Sequence, residues 1–169
     1  MKTLLSLSLV ALIMFFSACT KSSSNSILHT NCDGLVNDTL GTGDNGRIYM
    51  QNGFTPNGDG VNDVSRPILK NIASFTFTIT DDNNSVLFTT STPGQGWAST
   101  VGSNTFVQYY YKIQATTNSN HHIGICGSVW KLSCFPVGFI KSTMHFEDQL
   151  LPNGTYSATS VDYSLPNCP

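Results

Sequence analysis

Ser74-Phe75-Thr76-Phe77-Thr78-Ile79-Thr80 alternates strictly between bulky apolar and hydroxyl side chains. Successive side chains of a strand point to opposite faces, so this run predicts a half-buried strand with Phe75, Phe77 and Ile79 inward and the threonines outward. Asp81-Asp82-Asn83-Asn84 follows as a turn cluster, and Ser85 to Thr90 resumes with Val86 and Phe88. Two such runs around a short polar turn predict a β-hairpin.

The same reading extends in both directions. Upstream, Arg47 to Phe54 is a first strand candidate. Downstream, Phe106 to Thr116 carries Val107, Tyr109, Tyr111, Ile113 and Ala115 on one face, and Asn118 to Asn120 turns it. Ile125 to Cys134 comes next, with Trp130 and Leu132 facing the same way as its two cysteines. Ser142 to Phe146, the turn Leu151-Pro152-Asn153-Gly154 and Thr155 to Val161 complete the series. About seven strands without a long amphipathic helix or an internal repeat predict an all-β, immunoglobulin-like antiparallel sandwich. Residues 47–169 are expected to form this single domain, behind a flexible tether and leading loop over 19–46.

Charged residues make up only 11% of the chain, against about a quarter in an ordinary globular domain. Ten acids against eight Lys and Arg give a net charge of −2. That balance excludes a basic surface of the kind that binds nucleic acid through phosphates. The polar remainder is Thr, Ser, Asn and Gly, which suits strands and turns.

Met1-Lys2 opens the chain, an apolar run reaches Phe16, and Ser17-Ala18-Cys19 ends it. A positive start, a short apolar core and small residues at a cleavage point define a secretory signal over residues 1–18. The run falls short of the about 20 apolar residues of a membrane span. Small residues directly before Cys19 resemble the lipobox of bacterial lipoproteins. The resemblance implies cleavage after Ala18, diacylation of Cys19 and acylation of the new amino terminus. Thr20 to Ser26 then reads as a tether off the membrane. With Thr20 rather than an aspartate after the cysteine, resemblance to lipoprotein sorting implies the outer membrane, at its periplasmic face or on the cell surface.

Besides Cys19, four cysteines remain: Cys32, Cys126, Cys134 and Cys168. An even number in an exported chain predicts two disulfides. Cys126 and Cys134 lie at the two ends of one predicted strand, about 26 Å apart. A disulfide needs its Cα atoms within about 7 Å. Each should therefore pair with Cys32 or Cys168. His121-His122 falls in a Ser/Asn-rich turn without metal-ligand spacing, and reads as a pair of solvated histidines.

The most specific stretch is Asn52-Gly-Phe-Thr-Pro-Asn-Gly-Asp-Gly-Val-Asn-Asp-Val64. One reading is a turn-rich loop held by its own hydrogen bonds. Another is a weak calcium loop, with alternate donors Thr55, Asn57, Asp59, the Val61 carbonyl and Asp63 around Gly60. Phe54 to Asp63 also resembles the signature of the gliding motility-associated C-terminal domain family of Bacteroidota, which is linked to type IX secretion as a type B sorting domain. The likeness continues through Gly96-Trp97, Tyr109-Tyr110-Tyr111-Lys112-Ile113 and Gly127-Ser128-Val129, covering about residues 48–134. It departs from the family at Asp81-Asp82-Asn83-Asn84, where an Asn-Arg-Trp-Gly-like turn is usual, and in the residues that follow Cys134.

No catalytic constellation is apparent. Glu147-Asp148 is the only adjacent acidic pair outside turns, and neighbours on a strand would face opposite ways. His145 reads as structural, and Ser128 has no nucleophile-elbow context. The expectation is a non-enzymatic envelope or surface lipoprotein that serves as a binding or structural module. Its partners would be the membrane, through the lipid, and an envelope or secretion-machinery protein. Cargo of type IX secretion is one alternative. A carbohydrate-binding module using Trp97, Trp130 and Tyr109 to Tyr111 is another.

Overall fold

The computed structural model describes residues 32–99 and 105–169. The alternating run forms the centre of the fold. Seven strands are described: β1 Arg47–Met50, β2 Gly53–Phe54, β3 Pro67–Lys70, β4 Ile72–Thr80, β5 Val86–Thr90, β6 Phe106–Thr117 and β7 His122–Leu132. One sheet has the order β2-β7-β6-β4-β5, and the other pairs β1 with β3. The two make an all-β sandwich, antiparallel throughout except for β2, which runs parallel to β7.

Alternation decides which face is buried. Phe75, Phe77 and Ile79 lie at 6% exposure or less, and their β6 partners Ala115 and Ile113 join them with Phe54, Trp97 and Val129. Ile48, Met50 and Leu69 of the small sheet close this core from the other side. Phe88 packs against it, but Val86 does not. A register shift between Ile79 and Thr80 makes Leu87 an extra residue, which turns Val86 out to 64% exposure. Such a bulge reorients every side chain beyond it.

The expected first strand, Arg47 to Phe54, is two strands in different sheets. The chain crosses from one layer to the other at Gln51-Asn52. The short strand β3 is not apparent in the sequence, because four residues led by a proline show no period. Larger differences lie after Cys134. Neither Ser142 to Phe146 nor Thr155 to Val161 is a strand. This region is irregular, with 3-10 turns over Lys141–Thr143, Glu147–Gln149 and Val161–Ser164. The turn at Leu151–Gly154 does form, closed by Gly154 N–H to the Leu151 carbonyl.

Residues 135–169 cover the outer face of the large sheet at its β2 and β7 side. Leu132, Phe135, Met144 and Phe146 form a second core there, with Phe106, Trp130, Phe139, Tyr163 and Leu165 around it. Gly53 permits the close approach: a Cβ at that position would sit 2.6 Å from the Met144 methyl. Gln149, 1% exposed, organises this segment without a sheet. Its side-chain oxygen accepts from the Phe146 amide, and its Nε2 donates to the Ser157 carbonyl and the Tyr163 hydroxyl. Every polar atom of the buried amide is thus engaged, as burial requires.

The disulfides are Cys32–Cys126 and Cys134–Cys168, with Cα separations of 5.6 and 5.0 Å. The leading residues from Cys32 onward are therefore part of the domain and not a free loop. Gln114 exchanges two hydrogen bonds with Val36, Asn37 does the same with Gly124, and the Lys112 ammonium donates to the Asp33 carbonyl. Serine at both Cys134 and Cys168 is expected to cost about 4 kcal/mol, and at both Cys32 and Cys126 about 5 kcal/mol, from the lengths of chain each bridge closes. Urea unfolding of the oxidised variants measures both losses.

Candidate functional site

The loop over residues 55–63 is closed at its base by the Thr55 amide, which donates to the Asn62 carbonyl at 2.8 Å. Its carboxylates are turned toward its own backbone. Asp63 accepts from the amides of Gly58 and Gly60, both at 2.7 Å, and Asp59 accepts from the amide of Val61 at 2.8 Å. Asn57 brackets Asp59, donating to its carboxylate and accepting from its amide. Gly58 and Gly60 have φ of 82° and 88°, a conformation that L side chains rarely adopt. The amide of Val61 and the Asn57 side chain hold the Asp59 carboxyl below its ordinary range.

Of the calcium set, Thr55 stands apart from the other donors. Thr55 is 1% exposed and its hydroxyl donates to Asp162 at 2.8 Å, away from the loop's carboxylates. Asp59 and Asp63 spend their oxygens on loop donors. Among the described residues no group of three or more His, Cys, Asp or Glu is placed to hold a metal ion.

The loop instead seats the C-terminal segment. Asn62, in the left-handed region at φ 52°, is the hub. Its Nδ2 donates to Asp162 at 2.6 Å and to Asp148 at 3.1 Å, and its Oδ1 accepts from the Asp148 amide. Asp148 also accepts from the Ser160 hydroxyl and the Val161 amide. Beside this hub the Arg66 guanidinium grips Glu147 through Nε and Nη2 and donates to the Gly94 carbonyl. Burial raises the Asp162 carboxyl above its ordinary value. The hydrogen bonds from Asn62 and Thr55 oppose that shift, and the charges of Asp148 and Asp59 add to it.

Glu147 and Asp148 thus lie in a 3-10 turn, not on a strand, and both are committed to packing contacts. His145 rests on the Tyr156 ring at 4.9 Å, and its backbone bonds Asn52. Ser128 is half-buried within β7. The histidine pair is not merely solvated. His121 Nδ1 meets Asp44 at 2.7 Å, and His122 Nδ1 meets Asp38 at 2.9 Å. The Asp44 carboxyl is held low by the Gly46 amide first and then by Thr117 and His121. Asp38 is held low by the backbone amide and ring of His122.

The aromatic residues expected to stack on sugar are mostly used inside. Trp97 is in the first core, with its ring 5.5 Å from Phe54 and 4.7 Å from Tyr109. Tyr111 lies against the same core. Trp130 stacks on Phe106 at 4.5 Å beneath the C-terminal segment. Tyr110 and Tyr111 of the set line a groove of about 360 Å³, with Thr76, Thr78, Thr80, Val86 and Lys112 among its walls. Cys19 lies outside the described residues. No protein-family model, curated protein or solved structure matches the chain.

Asn62→Gly keeps the backbone conformation and removes the hub, so it is expected to cost about 2 kcal/mol and to speed amide exchange first over residues 147–163. Hydrogen exchange read by mass spectrometry, alongside a denaturant titration, checks both parts.

The acids make opposite contributions to pH dependence. Asp38, Asp44 and Asp59 have lowered values, so the stability they supply is complete above the ordinary aspartate range and is lost as pH falls through their folded values. Asp162 has a raised value, so its contribution is complete below that range and declines as pH rises through its folded value. The melting temperature of Asp162→Asn relative to the native chain should therefore climb as pH rises above the ordinary aspartate range. A difference independent of pH would show that burial does not perturb Asp162.

Proposed function

We propose that this chain is a non-enzymatic, lipid-anchored β-sandwich of the cell envelope, held at the outer membrane through Cys19 and acting as a binding or structural module related to gliding motility-associated C-terminal domains. The observation that carries the reading is the pairing of Cys32 with Cys126. It fastens the residues that lead into the sandwich to the middle of strand β7, only a short tether after the proposed lipidation cysteine. Both disulfides suit an oxidising compartment outside the cytosol. Acyl chains contribute about 0.8 kcal/mol per buried CH₂, so two or three of them anchor a small domain firmly.

The side chains with chemical potential support a module over an enzyme. Glu147, Asp148, Asp162, Asp44 and Asp38 are all held by specific partners in the packing. The family-like loop supports a module over type IX cargo. It is built into the domain as the seat of residues 147–163 rather than presented as a freestanding signal. Carbohydrate binding would rest on Tyr110 and Tyr111 at one groove, since Trp97 and Trp130 are committed to packing.

Mass spectrometry of the native amino terminus, with non-reducing peptide mapping, tests the reading. A diacylglyceryl, N-acylated Cys19 together with Cys32–Cys126 and Cys134–Cys168 peptides is expected. Surface labelling in a strain lacking type IX secretion should match the parent strain. An unmodified Cys19 overturns the anchor, and loss of surface labelling in that strain would favour cargo.

A further inference from the structure

The two edges of the five-stranded sheet are treated differently. At the β2 and β7 side, the backbone is capped three times. His145 and Asn52 bond across the β2 end, with the Asn52 amide donating to the His145 carbonyl and the His145 amide donating to the Asn52 side chain. The Asn37 side chain imitates a strand by accepting from the Gly124 amide and donating to its carbonyl. Asp38 accepts from the His122 amide. At the opposite side, β5 pairs with β4 alone, and no described residue bonds its outer edge.

Open edges are ordinarily blunted by lysine, proline, an inward charge, short length or a bulge. Ser85 to Thr92 contains no lysine, proline or charge, and although β5 is short and bulged near its start, the bulge does not reach its later residues. Its exposed side chains include Val86 at 64% and Leu87 at 43%, presented together because of the bulge. The bulge lies next to the turn and leaves Phe88 to Thr90 in regular register with Ile79 to Phe77.

Charge is distributed along the axis of this edge. Asp81 and Asp82 stand at the turn where β5 begins. Where it ends, Ser91 and Pro93 border Leu69 and Asn71. Lys70 lies between those two residues and pairs in register with Arg47, both exposed. A second copy laid antiparallel along β5 would bring its acidic turn toward the basic end of its mate. Parallel pairing would set like ends together.

We propose that β5 is an association edge for a second copy of this chain, joined antiparallel about a two-fold axis into one continuous ten-stranded sheet. A two-fold contact uses the same patch twice, and an uncharged strand meets itself without repulsion. Backbone hydrogen bonds would supply the attraction, as in strand addition generally, and Val86 and Leu87 would lose exposure to water.

The test is the mass of the full, oxidised chain by sedimentation velocity over a wide range of concentration. It is compared with Leu87→Lys, Thr89→Lys and, as a control on a distant exposed apolar side chain, Val137→Lys. Positions 87 and 89 are exposed, so the edge variants should fold, and an unchanged melting temperature verifies that. Native and Val137→Lys chains are expected to reach the mass of two copies, and each edge variant is expected to stay at that of one. A native chain that remains a monomer throughout overturns the proposal. So does a dimer that survives in both folded edge variants.

Discussion

Strand β7 acts as a ruler. Cys126 lies within it and Cys134 two residues beyond its end, an extended span of about 26 Å across which the two cannot reach each other. Each must take its partner from elsewhere in the chain. Cys32 arrives from the leading segment and Cys168 from the far end. Both ends of the domain are thereby drawn onto the outer face of the five-stranded sheet, leaving the inner face to Phe75, Phe77, Ile79, Ile113 and Val129 and their cover by β1 and β3.

That placement has consequences for the polar residues. A segment laid over a sheet edge must satisfy backbone groups it would otherwise bury. The leading segment does so with Asn37 and Asp38, and the C-terminal segment with His145. The loop after Phe54 is recruited in the same way. Its glycines allow the tight turns that let Asp59 and Asp63 satisfy loop amides, and Asn62, at positive φ, reaches across to Asp148 and Asp162. The stretch that also reads as a cation loop interlocks the β-sandwich with the chain that wraps it. Residues that could have done chemistry are bound into the same interlock and its surroundings. Arg66 engages Glu147, and the histidine pair engages the aspartates of the leading segment.

The resulting molecule has polarity. One sheet edge is closed by three independent contacts, and the other is uncharged, with no described residue bonded along it. The leading residues from 32 to 46 leave β5 unobstructed. A domain built in this way offers an edge and a groove to its surroundings, in keeping with a role in association.

Alternation alone was enough to identify β4, the β4–β5 hairpin, β6 and β7, because strand period is a property of neighbouring residues and survives without knowledge of the fold. The exclusion of a Cys126–Cys134 bridge was equally legible, since it needs only the rise per residue. The partition of Arg47 to Phe54 between two sheets was not, because nothing local at Gln51-Asn52 states which layer each half will join. Nor was the structure beyond Cys134 legible. Met144, Phe146, Gln149 and Tyr163 acquire their conformation by packing on Gly53, Trp130 and Leu132, residues far away in the chain, and not from any period of their own. The loop of Thr55 to Asp63 marks the boundary. Its turns are written in its glycines and asparagines, but whether its carboxylates face a cation or their own amides, and what Asn62 holds, depended on the arrival of Asp148 and Asp162 from the other end of the molecule.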